Sequence, residues 1–303
     1  MPLAVQVDQP VGDRLQRAQM YDGTINITTP TPSSLALAMF ARELIGEEFG
    51  GRDPELAQFD LPVAEYAAIL AELKSQFIRH PKSKRLVQDL LVERGCDPAA
   101  TYFDKPRLGI STSDDYLGTG IAYAWHPYRD TWCSAPLAQL NHWMPVYDVT
   151  EDNAVALHPE YFNRAVANDS AVYDHSQWND VHAGTRPVPG PTEPVDLLSS
   201  TVFVAPVGGM LQYSGHHLHS DVPNDSGRTR FSVDFRTVDV DDIRKGLGAR
   251  NVDGRCRGSS IRDFTSAGDL SPIPDDVIAM FNDGTETGNA AGVPRAQTAR
   301  TRA

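Results

Sequence analysis

Three cysteines in 303 residues, Cys96, Cys133 and Cys256, are too few and too scattered for a disulfide framework, and an odd number leaves one unpaired. No Cys-x-x-Cys pair occurs, which argues against a structural zinc knuckle. There is no run of about eighteen apolar residues, so no transmembrane helix is expected. The opening residues, Met1-Pro2-Leu3-Ala4-Val5-Gln6-Val7-Asp8, carry neither a positive n-region nor an apolar h-region, so they do not read as a secretory signal. Basic residues are scarce: 27 Lys and Arg stand against 40 Asp and Glu, a net charge of −13. That balance argues against broad binding to a phosphate backbone. The expectation is a reduced, soluble, cytoplasmic protein without nucleic-acid or membrane partners. Nothing in the sequence specifies an oligomeric state, and no internal repeat is visible.

The chain is 41% hydrophobic and 22% charged, as in ordinary globular proteins, and is long enough for one large core. Residues 1–32 read as an irregular lead-in ending in Thr29-Pro30-Thr31-Pro32. Ser33 or Ser34 can cap a helix bearing Leu35, Met39, Phe40, Leu44 and Ile45 at helical spacing, stopped by Gly50-Gly51. Two further helices are predicted, from about Pro62 to Phe77 and from about Ser83 to Arg94. After Asp97-Pro98 the texture turns to short β-branched and aromatic runs: Tyr102–Ile110, Ile121–Tyr128, Gln139–Tyr147, Ala154–His158, Ser200–Val207, Met210–Ser214 and Thr229–Val238. Gly208-Gly209 reads as a hairpin turn between two of them. Helices followed by many short strands predict an α+β fold with a sandwich or jelly-roll core.

One domain is expected over 33–284: a helical buttress (33–97), a β-core (101–240) and a C-terminal cap (241–284). The polar stretch 163–198 interrupts the β-core and reads as a lid. The small, polar tail 285–303 reads as disordered.

Asp130 follows a strand-like segment, His126-Pro127-Tyr128-Arg129-Asp130, in which residues two apart share a face. A donor at 128 and a carboxylate at 130 could grip one ion, with a histidine from a distant strand completing the set. The alternative for Asp130 is a turn or cap residue. His219 closes the cluster His216-His217-Leu218-His219 and lies eleven residues ahead of Arg230. Arg230 opens the apolar run Phe231-Ser232-Val233-Asp234-Phe235, where a guanidinium needs an anion. It could clamp a ligand carboxylate, with Ser232 on the same face, or form an internal pair with Asp234 or Asp239. Trp178, His175 and His182 in the insertion, and His217 near the histidine cluster, are weaker candidates for substrate contact. Cys133 and His158 read as structural.

Several runs together resemble phytanoyl-CoA dioxygenase-type proteins of the Fe(II)/2-oxoglutarate-dependent oxygenases. They are Asp130-Thr131-Trp132; Gln139-Leu140-Asn141-His142-Trp143-Met144-Pro145-Val146-Tyr147; His158-Pro159-Glu160-Tyr161-Phe162; and Ser214-Gly215 through His219. Val222-Pro223-Asn224, Ser226-Gly227-Arg228-Thr229-Arg230 and Asp234-Phe235-Arg236 belong with them, so the likeness covers roughly residues 60–285. The resemblance implies a double-stranded β-helix, a cupin-like jelly roll buttressed by N-terminal helices. It also implies Fe(II) held by an HxD…H motif and 2-oxoglutarate anchored by an arginine. Asp130 and His219 match iron ligands. Arg230 and Ser232 match the distal clamp, and Gln139, Asn141 and Trp143 match the strand lining the cosubstrate pocket.

The chain departs from that pattern at Tyr128, where the first iron-binding histidine is expected. Three readings follow: His126 takes over, the Tyr128 phenol ligates as phenolate, or iron is bound weakly or not at all. The function implied is oxidation of a small organic metabolite. The alternatives are an iron-deficient homologue keeping the fold, and a non-oxidative metal-dependent isomerase or cyclase on the same barrel.

Overall fold

The computed structural model describes residues 4–9, 12–114, 116–117, 126–177 and 188–281. Along the chain these form β1 (Val5–Val7), α1 (Asp13–Tyr21), β2 (Ile25–Thr28), α2 (Pro32–Phe49), α3 (Val63–Arg79), α4 (Pro81–Glu93), β3 (Thr101–Phe103), β4 (Arg107–Ser111), β5 (Leu140–Pro145), β6 (Val155–Leu157), β7 (Thr201–Phe203), β8 (Met210–Ser214), β9 (His219–Asp221), β10 (Arg230–Asp239), α5 (Val240–Arg244), β11 (Thr265–Ser266) and α6 (Asp275–Ala279). The strands make two sheets. The larger runs β1-β2-β8-β5-β10-β3-β11, with β4 also on β10; the smaller is β7-β6-β9. Apart from the parallel β1–β2 pair the ladders are antiparallel, and helices cover one side. This is the α+β, jelly-roll-type arrangement expected from the sequence.

The register of β10 decides which side chains meet. Phe231, Val233 and Phe235 point to the outer face, where they join Met144 of β5, Leu108 and Ile110 of β4, and the apolar sides of α2, α3 and α4 in one buried cluster. The intervening Arg230, Ser232, Asp234 and Arg236 therefore face inward, opposite the small sheet. Asn141 and Trp143 of β5 pair with Arg236 and Asp234, and Tyr213 and Leu211 of β8 pair with Asn141 and Trp143, so they share that inner face.

The helices start and stop where local chemistry dictates. Thr31, rather than Ser33 or Ser34, is the cap of α2: its hydroxyl accepts from Ser34 N while Ser34 Oγ accepts from Thr31 N. Gly50 ends the helix in the left-handed region at φ 58°. The buried stripe of α2 begins at Leu37; Leu35 and Met39, expected inward, are exposed.

Three further expectations are corrected. The described residues of 1–32 are not irregular: β1 and β2 extend the large sheet, with β2 hydrogen-bonded to β8, and α1 connects them. Arg17 anchors α1 by ion pairs to Asp239 and Asp242 at 3.0 and 2.7 Å. The run Tyr102–Ile110 is two strands, β3 and β4, because Pro106 lies between them and cannot donate to a ladder. Gly208-Gly209 is not a hairpin, because β7 and β8 lie in different sheets; Gly209 N closes a tight turn on Pro206 O at 2.7 Å. Trp178, His182, residues 121–125 of the strand expected over Ile121–Tyr128 and the tail 285–303 lie outside the described residues.

On the outer face His142 stacks on Phe235, with centroids 4.5 Å apart. It bonds Thr237 Oγ1 and Gln212 Nε2 at 2.8 and 3.2 Å. Burial, helped by the Arg94 charge, pushes its pKa down to about 3. An unfolded histidine titrates near pH 6.5, so the unfolded chain takes up this proton first and stability falls as the pH drops from about 6.5 toward 3. The stability gap between wild type and His142→Gln should therefore narrow over that range in urea unfolding. A gap independent of pH would contradict a neutral, buried His142.

Candidate active site

Two backbone hydrogen bonds bring the halves of the site together. Tyr128 N donates to His219 O at 2.9 Å and His219 N to Tyr128 O at 3.0 Å. Directly opposed in this bridge, the phenol and imidazole rings lie with centroids 4.3 Å apart. The chain then turns through a 3-10 segment, Asp130–Cys133, whose first residue points its carboxylate at His219. Asp130 Oδ1 lies 3.7 Å from His219 Nε2. Asp130 Oδ2 accepts from Gln139 Nε2 at 2.7 Å and lies 3.5 Å from Arg236 Nε. Gln139 also donates to Asn141 Oδ1 at 2.9 Å. A Cβ on Gly215 would come within 3.0 Å of Gln139 Nε2, so glycine leaves room for this approach.

The turn is braced by an arginine that sequence reasoning passed over. Arg129 has no exposed side-chain surface and donates to Asp253 at 3.1 Å and to the carbonyls of His216, Tyr161 and Arg164. Asp253 in turn accepts from Trp132 Nε1 at 2.8 Å and from Val166 N at 3.0 Å. One buried ion pair thus ties the Tyr128–Asp130 turn, the start of the insertion and the 251–257 segment together. Its only sequence signal is a charge inside a strand-like segment.

The donor set for iron is incomplete. His219 Nδ1 lies 2.9 Å from His217 O; with Nδ1–H donating, Nε2 keeps its lone pair toward Asp130, as a metal-binding histidine does. Burial lowers its pKa, against the pull of Asp130. The third position, however, is a phenol that burial and then Asp130 hold well above the ordinary tyrosine range. His126 does not replace it: Nε2 bonds Val188 O at 3.2 Å and the ring packs by Gly190. His217 is buried against Phe162, with centroids 4.5 Å apart. Among the described residues no group of three or more His, Cys, Asp or Glu side chains could hold a metal ion. The residues present therefore do not fit the two-histidine, one-carboxylate iron seat.

A cavity of roughly 190 Å³ opens between the sheets beside this pair. Arg230, 4% exposed, enters it from β10. Its partner is neither Asp234 nor Asp239 but Asp221 on β9, at 2.8 Å, with the carbonyls of Asn153 and Ala154 at 3.2 and 3.4 Å. All three partners crowd Nη1, while the buried Nε has no partner among the described residues. Trp143, whose ring lies 5.9 Å from the guanidinium carbon, also has a buried Nε1 without an acceptor. Lys74 of α3 lines the same cavity; burial lowers its pKa to about 8 despite Asp234 and Asp221. Ser232 is drawn away, its hydroxyl lying 3.1 Å from Asp234 Oδ2 and 3.5 Å from Gly109 O. A side chain at Gly109 would collide with both Ser232 and Asp234.

A second cavity, of roughly 260 Å³, lies on the other side of Asp130 and takes in Cys133, Tyr173, His175 and Asp263. Tyr128 and Arg236 border both cavities. Burial and Asp130 keep the Cys133 thiol well above its ordinary range, so it is no nucleophile.

No protein-family model and no curated protein sequence matches the chain. Solved structures similar in fold include EctD from S. alaskensis in its apoform, at 14% identity over 80% of this chain and 83% of that one, TM-score 0.46. The epimerase SnoN, solved with Fe3+, alpha ketoglutarate and nogalamycin RO, matches at 13% identity over 75% and 85%, TM-score 0.39. EvdO2 from Micromonospora carbonacea var. aurantiaca, complexed with 2-oxoglutarate, matches at 11% identity over 55% of this chain and 62% of that one, TM-score 0.37. SnoN is a non-heme alpha ketoglutarate dependent epimerase. The likeness of this chain to these structures is one of fold.

Two outcomes are expected. Arg129→Ala strands Asp253, which is 4% exposed, and should lower unfolding stability by about 3–5 kcal/mol in urea titrations; a loss within error of zero would remove the brace. Tyr128→His supplies the missing donor and should convert a protein that retains little Fe(II) on a desalting column into one that retains it stoichiometrically. A variant as iron-poor as wild type would show that Asp130 and His219 are not poised for metal.

Proposed function

We propose that the chain is a 2-oxoglutarate-oxygenase-like protein that binds a small 2-oxo dicarboxylate between its sheets, beside an iron seat lacking its third side-chain donor. The observation that carries this reading is the pair of buried donors, Arg230 Nε and Trp143 Nε1, without acceptors among the described residues and belonging to two side chains that line one cavity. Each such unsatisfied group costs roughly 1–3 kcal/mol, and a carboxylate-bearing ligand relieves that cost. Lys74, Arg107 and Arg236 bring further positive charge to the same cavity, in a chain whose net charge is −13. Arg230 holds the distal carboxylate, Trp143 adds a donor, and Lys74 supplies charge. Arg236 and Gln139 keep the Asp130 carboxylate hydrogen-bonded and compensated, and burial keeps His219 neutral.

Beside a competent metal, 2-oxoglutarate would supply the electrons for oxygen activation; the iron donors of this chain do not fit that chemistry. The organic substrate occupies the second cavity, under the described part of the insertion. There Tyr173 and His175 line the cavity together with the buried Asp130.

One observation favours a second reading, an enzyme whose metal rests on two side chains. His219 is held with Nε2 facing Asp130 Oδ1, and bound cosubstrate could supply the remaining donors.

Arg230→Ala should weaken 2-oxoglutarate binding about 30-fold or more in titration calorimetry, the loss expected when one partner of a buried charge pair is removed. Unchanged affinity would remove the clamp.

A further inference from the structure

Asp221 has no place in that scheme, yet it sits where the ligand's distal carboxylate needs to be. It lies two residues beyond His219 on β9, so strand alternation turns both side chains to the same cavity. Its Oδ1 accepts from Arg230 Nη1 at 2.8 Å. The guanidinium is thus neutralised along one edge before any ligand arrives, and only the Nε side remains. A ligand carboxylate seated there brings a second negative charge against Asp221, with Asp234 also lining the cavity. The two members of the pair differ in access to water. The Arg230 side chain is 4% exposed and fixed by two carbonyls, whereas that of Asp221 is 22% exposed and can turn toward solvent.

We propose that Asp221 is a built-in anion that competes with the ligand's distal carboxylate for Arg230, setting both the affinity of the pocket and its discrimination between dianionic and monoanionic 2-oxo acids. The inference rests on the dicarboxylate reading above and extends it. An opposite role for the same carboxylate is a buttress that orients Arg230. The two roles differ in sign: releasing a competitor tightens binding, whereas removing a buttress loosens it.

Asp221→Asn isolates the charge, because the amide oxygen still accepts from Nη1. Titration calorimetry with 2-oxoglutarate should give a dissociation constant about tenfold below that of wild type, the relief of a close like-charge contact. With 2-oxobutyrate, which lacks the distal carboxylate, the two proteins should bind alike. An unchanged or weaker affinity for 2-oxoglutarate overturns the proposal, as does an equal gain for 2-oxobutyrate. Should the asparagine variant not fold, judged by circular dichroism, Asp221→Ser carries the same expectation. Failure of the underlying reading looks different: neither ligand binds wild type or variant, or Arg230→Ala leaves wild-type affinity for 2-oxoglutarate intact, and the Asp221 assignment then falls with it.

Discussion

Arg129 brings a full positive charge into the protein with no side-chain exposure, and the geometry around Asp130 follows from how that charge is satisfied. An unpaired guanidinium at such depth is prohibitively costly, so the fold must bring Asp253 and three carbonyls to it. Meeting that demand fixes the turn after Tyr128, ties down Tyr161 and Arg164 at the start of the insertion, and draws in the 251–257 segment. The register of β9 against Tyr128 then places His219 opposite the same turn. Asp130 and His219 approach each other because a neighbouring charge has only one way of being buried.

The inner face of β10 is the second organising element. Arg230, Ser232, Asp234 and Arg236 project inward at every other residue and meet partners from outside β10. Arg230 meets Asp221 on β9; Ser232 and Asp234 crowd the space that Gly109 leaves on β4; Arg236 lies between Asp104 and Asp130. Four cations, Lys74, Arg107, Arg230 and Arg236, and two carboxylates, Asp221 and Asp234, line the cavity. Beside this positive excess stand two buried hydrogen-bond donors without acceptors among the described residues, a stronger pointer to a ligand than net charge alone.

Much of this was legible in the sequence. The helical stripes of α2, α3 and α4 and the alternation along β10 predict the layered α+β arrangement, since periodicity is imposed by burial and burial made these elements. Asn141, Trp143, His219 and Arg230 line one cavity, whereas Asp130 and Gln139 line the other, Ser232 turns aside and His126 reaches the insertion. The first 32 residues escaped notice because strands of three or four residues carry almost no periodic signal and are made by pairing with an existing sheet edge. Arg129, Asp221, Lys74 and Asp253 escaped because their partners are supplied by the fold; Arg129 and Asp253 are 124 positions apart. Tyr128 was visible from the outset, and what structure adds is that its half-buried phenol is held well above the ordinary tyrosine range, with no second histidine among the described residues taking the missing ligand position.

The central claim is that the dicarboxylate pocket persists while the iron seat does not. Anaerobic titration of the wild-type protein with Fe(II) and then 2-oxoglutarate, followed by visible absorption and equilibrium dialysis, tests both halves at once. The account predicts saturable 2-oxoglutarate retention with no stoichiometric iron and no metal-to-ligand charge-transfer band. A charge-transfer band at one iron per chain would contradict it and return Tyr128 to the list of working ligands.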